Sequence, residues 1–260
     1  MNPVIETILK RKSIRAYEDK PISAQVRAEI FRATLRAPTA GNLMLYSIIE
    51  VTDQKAKDTL AQSCDNQPFI AKAPWVLLFL ADYQRWYDYF IVSGVKEMCE
   101  QNQVSMRKPE EGDLFLACCD ALIAAQTAVI AAESFGIGSC YIGDIMEQYE
   151  VHQELFNLPQ YVFPICLLCF GYPTKGQRER ELTSRFDDKF IVFENRYRRL
   201  DQVSFEEMYR ERHERTFKDR PNIDGATNIG QLTYQHKFGA DFSKEMTRSV
   251  RAILKTWVTG

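Results

Sequence analysis

Histidine is scarce in this chain. His152, His213 and His236 are its only three and lie far apart. No Cys/His spacing resembles a zinc site, so no metal is expected. Long hydrophobic runs are missing as well. The most apolar stretches are residues 75–81, 121–132 and 163–170, all shorter than the ~20 residues of a membrane span. The first six residues, Met1-Asn2-Pro3-Val4-Ile5-Glu6, lack the charged-then-apolar order of a signal peptide. Neither charge sign prevails: 33 Lys and Arg against 35 Asp and Glu give a net charge of −2, which argues against a general nucleic-acid surface. The seven cysteines are an odd number with no disulfide framework, so free, mostly buried thiols and a cytoplasmic location are expected. Cys166 and Cys169 form a C-x-x-C inside an apolar run. On a strand that spacing sends them to opposite faces, so packing thiols are expected rather than a redox pair.

What the chain does have is core material. It has 260 residues, 45% of them hydrophobic, enough for one large domain burying roughly three quarters of its unfolded surface. Pro3–Arg11 reads as a short helix. Ser23 is a plausible N-cap for a second helix, on whose outer face Arg27 is expected to be solvated. Residues 37–42, Ala-Pro-Thr-Ala-Gly-Asn, are breaker chemistry and predict a loop. A strand is expected over 47–52, a helix over 54–63 and a fully buried central strand over 75–81. Residues 85–107 are expected to be helical and exposed. Residues 114–135 are apolar nearly all round, which predicts a central buried helix stopping at Gly136. A short extended piece at 139–142, a helix over 147–156 and a second buried strand over 163–170 follow. A long loop is expected over 175–188, a last strand at 190–193, and charged helices after Asp201. The fold class is α+β: buried strands under helices, with a helical tail.

Three segments carry candidate chemistry. In Arg11-Lys12-Ser13-Ile14-Arg15, an extended backbone projects Arg11, Ser13 and Arg15 to one face. Two guanidinium forks flanking a hydroxyl suit a phosphate dianion. The bland alternative is a solvated basic loop. In Pro38-Thr39-Ala40-Gly41-Asn42-Leu43-Met44, small residues let backbone approach a flat ligand, and Asn42 offers a donor and an acceptor. In Gly136-Ile137-Gly138-Ser139-Cys140-Tyr141-Ile142-Gly143, a helix cap accounts for Gly136. Gly138 and Gly143 suggest close approach to something planar. This last segment is not a dinucleotide fingerprint, because the third glycine is absent and it follows a helix.

In this order the three segments resemble the nitroreductase family, which binds FMN, and most of all its flavin-reductase-like branch. Further matches are Pro21-Ile-Ser23, Ser47-Ile-Ile49, Asn66-Gln67, Ala131-Ala-Glu-Ser-Phe-Gly-Ile-Gly138, Leu158-Pro159, Phe163-Pro164, Phe170-Gly-Tyr-Pro173, Arg185-Phe186 and Val192-Phe-Glu-Asn195. The resemblance spans roughly residues 4–197. It implies a central, mostly antiparallel sheet flanked by helices, in an intertwined homodimer. Residues 1–200 would form the FMN-binding domain, and 201–260 a helical extension packed on it.

The resemblance also implies roles. Arg11, Lys12, Ser13 and Arg15 would meet the phosphate and ribityl chain, and Gln67 the flavin ring edge. Tyr141, Ile142 and Gly143 would lie against the ring. Thr39, Asn42 and Met44 would reach it from the other subunit. Arg185 matches a basic phosphate contact. Its usual lysine partner is Thr183 here, so Arg178 or Arg180 would substitute. Asp144 and Met44 depart from the branch, which commonly has glycine and glutamine there. The implied activity is hydride transfer from NAD(P)H to nitroaromatics, quinones or flavins by a ping-pong cycle. No arginine fork for a 2′-phosphate is found near residues 228–238, so weak discrimination between NADH and NADPH is expected. Two rivals stay open: another flavin chemistry, such as reductive dehalogenation or flavin breakdown, and a non-catalytic flavin-binding protein.

Overall fold

The computed structural model describes residues 2–259. They form two compact units. One runs up to Glu181 and resumes at Glu245; the other is Leu182–Lys244.

The first unit is built on strands β1 (Tyr46–Glu50), β2 (Trp75–Asp82), β3 (Gly138–Ile142) and β4 (Val162–Gly171). They pair in the order β1-β2-β4-β3, every ladder antiparallel. β2 is buried at every position, as its continuous apolar run predicts. Its side chains alternate between two cores. Trp75, Leu77 and Phe79 join one, with Cys166, Leu168 and Phe170 of β4. Val76, Leu78 and Leu80 join the other, with Leu167 and Cys169. The two cysteines therefore do sit on opposite faces. The β2–β4 register slips between Phe79 and Leu80, where Pro164 has no N–H to give the ladder.

Helices α1 (Pro3–Lys10), α2 (Ala24–Thr34), α3 (Gln54–Ser63) and α4 (Phe69–Lys72) come first along the chain. Side-chain oxygens of Ser23 and Asp53 cap α2 and α3, accepting from Val26 N (3.3 Å) and Ala56 N (2.9 Å). Arg27 is not solvated as expected: it pairs with Glu50 at 2.6 Å, and Glu50 also accepts from the Trp75 indole at 2.8 Å. The helix expected over 85–107 is two, α5 (Gln84–Val92) and α6 (Val95–Gln101), parted at Gly94 with φ 74°. α7 (Glu111–Ser134) lays Ala121, Ala124, Ala125, Ala128 and Ala132 on the first core, where small side chains let a helix approach the sheet closely. It was expected to be buried all round, but only that side is. Phe115 is 69% exposed, and Leu116, Leu122 and Ile123 are also exposed. By length and composition α7 could cross a bilayer, a test that core helices of this kind also pass. α8 (Tyr149–Phe156) follows, and α9 (Lys175–Glu179) occupies part of the expected long loop. The end of α12 (Asp241–Thr259) closes a third cluster through Ile253 and Trp257, packed with Leu45, Leu114, Tyr161 and Phe163.

The second unit holds α10 (Gln202–Phe217), capped by Asp201, and α11 (Ile229–Thr233). Phe186 packs on Tyr209 (5.1 Å between ring centres) and under the Arg212 guanidinium at 3.9 Å. The strand expected at 190–193 is absent. Asp188–Phe190 is a 3-10 turn whose cap, Asp187, accepts from Lys189 N at 3.1 Å. Ile191 and Val192 stay exposed, because capping chemistry at the Asp pair overrides a four-residue apolar run with no strand to pair with.

Candidate functional site

The Arg11–Arg15 segment leaves α1 and lies against β3. Ser13 bridges Ser139 in parallel, and Ile14 N donates to Ser139 O at 2.8 Å. Ile14 is 3% exposed and acts as the anchor. A Cβ at Gly138 would fall 2.4 Å from Ile14 Cγ1. The close approach expected at Gly138 is therefore to this side chain, not to a planar ligand. At Gly143 an added Cβ would meet nothing within 4 Å, so space remains there.

With Ile14 turned inward, its neighbours gather on the other side, around Cys140. Burial pushes the Cys140 thiol up, while Arg15, Arg11, the Ser13 hydroxyl and Arg180 pull it back. Arg11, Ser13 and Arg15 all act on Cys140, and Arg180 joins them by donating from Nη2 to Ser13 O at 2.5 Å. Lys12 Nζ donates to Arg178 O at 2.8 Å and to Arg180 O. The Arg178 side chain turns away to Glu18 (2.6 Å) and Pro173 O (2.7 Å). Of the two arginines left open by the sequence, Arg180 is the one in this cluster. Arg185 belongs to the second unit, exposed, with Nη1 on its own backbone neighbours Thr183 O and Ser184 O.

The cluster is short of anions. Glu133 faces Arg11 and Lys12, but burial raises its carboxyl to about 7, against the pull of those two cations. Arg11 Nη1, Glu133 Oε1 and Ser139 Oγ are all buried without a hydrogen-bond partner. A buried guanidinium nitrogen with no acceptor is costly. A phosphate dianion offers the missing oxygens and the missing charge.

Beyond β3 the chain turns through a 3-10 segment, Gly143–Met146. Tyr141 is half-buried and donates to Gln126 Oε1 at 3.1 Å; Ile142 is buried. Gln67 approaches from the turn after α3, donating from Nε2 to Asp144 Oδ2 (2.7 Å) and Cys64 O (3.0 Å). Both its N–H bonds are committed, so Oε1, an acceptor, is the end left to a ligand. Burial and the charges of Asp144, Asp65 and Glu245 raise the Glu147 carboxyl to about 8. Among the described residues no group of His, Cys, Asp and Glu could hold a metal ion.

The third segment is the loop between α2 and β1. Thr39, half-buried, donates from Oγ1 to Asp120 and accepts from Met44 N at 2.8 Å. Gly41 and Asn42 are exposed, and Met44 is half-buried. Gly41, Asn42 and Met44 all take positive φ, at 53°, 58° and 52°.

The Nitroreductase family profile matches residues 8–172. This chain belongs to the nitroreductase family. It is 31% identical over 202 residues to an oxygen-insensitive NADPH nitroreductase of Salmonella typhimurium, covering 78% of each chain. Against an FMN reductase (NADPH) of Bacillus subtilis it is 31% identical over 199 residues, covering 76% of this chain and 75% of the relative. Among solved structures, the NADPH:FMN oxidoreductase of Vibrio harveyi complexed with NAD+ superposes with a TM-score of 0.78 at 25% identity, covering 97% and 98%.

Within the family match, the basic segment, the Thr39–Met44 loop, Gln67 and Tyr141–Gly143 all fall inside the matched residues, while Arg180 and Arg185 fall outside. The nitroreductase-like sheet brings the basic segment and Arg180 together on β3. It brings Gln67 to the far end of β3 through Asp144. Glu133, Ser139 and Asp120 were missed. Each sits in an apolar or glycine-rich stretch where nothing local marks a polar side chain as functional. A charged residue in the middle of an alanine-rich helix, as Asp120 is, was the one available signal.

Proposed function

We propose that the protein is an FMN-dependent oxidoreductase passing hydride from NAD(P)H to small oxidised acceptors such as nitroaromatics, quinones or flavins. The observation that carries this is the anion-poor cation cluster on β3, with Arg11 Nη1 buried and unpartnered. The names of its relatives as NADPH nitroreductase and FMN reductase support the same reading.

Arg11, Lys12, Ser13, Arg15 and Arg180 would hold the phosphate and ribityl chain. Gln67, steered by Asp144, offers an acceptor to the ring edge. Tyr141, Ile142 and Gly143 form the platform, the open space at Gly143 leaving room for a flat group. Thr39, Asn42 and Met44 would come from the second copy of a homodimer. The exposed apolar side chains of α7, with Val4, Ile5, Ile8 and Leu9 of α1, support such an interface. Hydride transfer is what FMN supplies when bound; the protein anchors, orients and excludes bulky competitors. Nicotinamide and acceptor share one pocket in turn, in keeping with the missing dinucleotide fingerprint. Seven free thiols suit a cytoplasmic location.

The test is an absorbance spectrum of purified protein before and after NADH or NADPH, followed by menadione or nitrofurazone. A yellow protein that releases FMN on denaturation, is bleached by nicotinamide and turns over an acceptor is expected. Release of FAD, or no flavin after reconstitution, would sink the reading. Bound flavin that neither nicotinamide bleaches would leave a binding protein.

A further inference from the structure

The connection between α2 and β1 takes a left-handed backbone that Gly41 and Asn42 accommodate and Met44 does not. Three of its residues are left-handed within four positions, and two of them, Asn42 and Met44, are not glycine. Such conformations persist only where the surroundings over-determine them.

The surroundings do so from two sides. In the middle of α7, on its alanine-lined face, sits one carboxylate, Asp120, only 2% exposed. Its Oδ1 accepts from Ala40 N at 3.0 Å. Its Oδ2 accepts from Leu45 N at 3.1 Å and from the Thr39 hydroxyl, whose oxygen in turn accepts from Met44 N. One buried charge thus gathers the loop's N–H groups, directly or through Thr39. Two of the loop's carbonyls, those of Leu43 and Met44, go the other way, to α5. The Trp86 indole donates to Leu43 O at 2.7 Å, and Arg85 Nη2 donates to Met44 O and to Tyr46 O at 3.4 Å. Donors to α7 and acceptors to α5 leave the backbone little freedom. The Asn42 side chain stands exposed at the tip.

A plain connection would need none of this. Burying a carboxylate is unfavourable unless several hydrogen bonds compensate, and a left-handed Met44 adds strain. A loop held rigid beforehand loses no freedom when it meets a ligand.

We propose that Asp120 is a positioning residue that locks the Thr39–Leu45 loop in its left-handed form. Asn42 and Met44 are then presented ready-made to the flavin held by the second copy. The inference rests on the function proposed above and extends it to a residue that touches no ligand.

The test uses the full-length protein and has one arm that needs no flavin. Asp120→Asn keeps the shape but turns one acceptor into a donor facing other donors. In the flavin-free protein, amide exchange at Ala40, Met44 and Leu45 is expected to speed at least roughly tenfold, while β2 and β4 amides keep their protection. In the loaded protein, FMN is expected to bind roughly tenfold more weakly, with KM for menadione raised more than kcat is lowered. Thr39→Val breaks the same network without touching the buried charge and serves if Asp120→Asn fails to fold. Thr39→Ser, which retains the hydroxyl, should keep the loop amides protected. Unchanged exchange at the three amides would overturn the clamp. Faster exchange with unchanged FMN affinity and KM would overturn the positioning role and leave Asp120 a structural residue. A wild-type protein that takes no FMN would overturn the functional reading instead, and the exchange arm would still decide whether Asp120 sets the loop.

Discussion

The basic segment at Arg11–Arg15 and the loop at Thr39–Leu45 are mounted in opposite ways. The first has ordinary extended backbone pairing with β3 and one apolar anchor, Ile14, but its side chains are unsatisfied: cations crowd together and Arg11 Nη1 lacks an acceptor. The second has strained backbone, yet its polar groups are met by Asp120, Arg85 and Trp86. Unmet side chains on a relaxed backbone suit a receiver, whose missing partner in the proposed function is the phosphate. Met groups on a strained backbone make a tool held in a fixed shape.

The largest effect should come from separating the two regions, since the proposed site takes one from each copy. Ile123→Asp puts a charge on the exposed apolar side of α7. An obligate interface of over ~2,000 Å² would not tolerate it, so dimer and flavin are expected to be lost together. Light scattering with absorbance checks this; a folded monomer with stoichiometric FMN would refute the shared site.

Next is the receiver alone. Arg15→Ala and Arg11→Ala should each weaken FMN binding by one to two decades, since a charge-assisted contact is worth roughly 1.5–3 kcal/mol. Lys55→Ala, an exposed cation on α3, should leave titration curves unchanged. Equal affinity in all three would mean the segment is only a solvated basic loop. Gly138→Ala attacks the mount instead. Its methyl would overlap Ile14 and cost roughly 1–3 kcal/mol, lowering Tm and FMN affinity together; loss of Tm alone would show that the segment's position does not govern binding.

On the second region, Gly41→Ala has room, the nearest atom being 3.6 Å away, but φ is 53°. Strain of about 1 kcal/mol is expected, some 2–4 °C in Tm. An unchanged Tm would mean the loop is less rigidly held than its hydrogen bonds suggest. The smallest effect concerns Glu133. Its carboxyl is raised from 4.5 to about 7 by burial, so stability is full below 4.5 and falls as pH rises through about 7, where the folded state must ionise it. Solvent screening limits the loss to under ~1 kcal/mol. Flavin-free Tm should decline between pH 5 and 8 in the wild type and less in Glu133→Gln. Identical slopes would show that Glu133 ionises freely.

The extent to which this could be read in advance follows from the range of the forces involved. Ser23 caps its helix by accepting from a backbone N–H three residues on, and α3 runs over Gln54–Ser63 as its spacing suggested. Alternation placed Cys166 and Cys169 on opposite faces, and the basic segment could be read as a receiver because three side chains two apart share a side. The expected strand at 190–193 failed because a local apolar run does not make a strand without a partner edge.

Local propensity and side-chain period thus determined helices such as α3, the buried strands and the alternating basic segment, since each depends on neighbours within one or two turns of chain. Only the tertiary structure decided that Gly138 serves Ile14, that Arg180 rather than Arg178 joins the cluster, and that Asp120 holds a loop 75 to 81 residues away. Hydrogen bonds and close packing act over about 3 to 4 Å of space, whatever the separation along the chain, and no pattern in the sequence encodes which distant residues that space brings together.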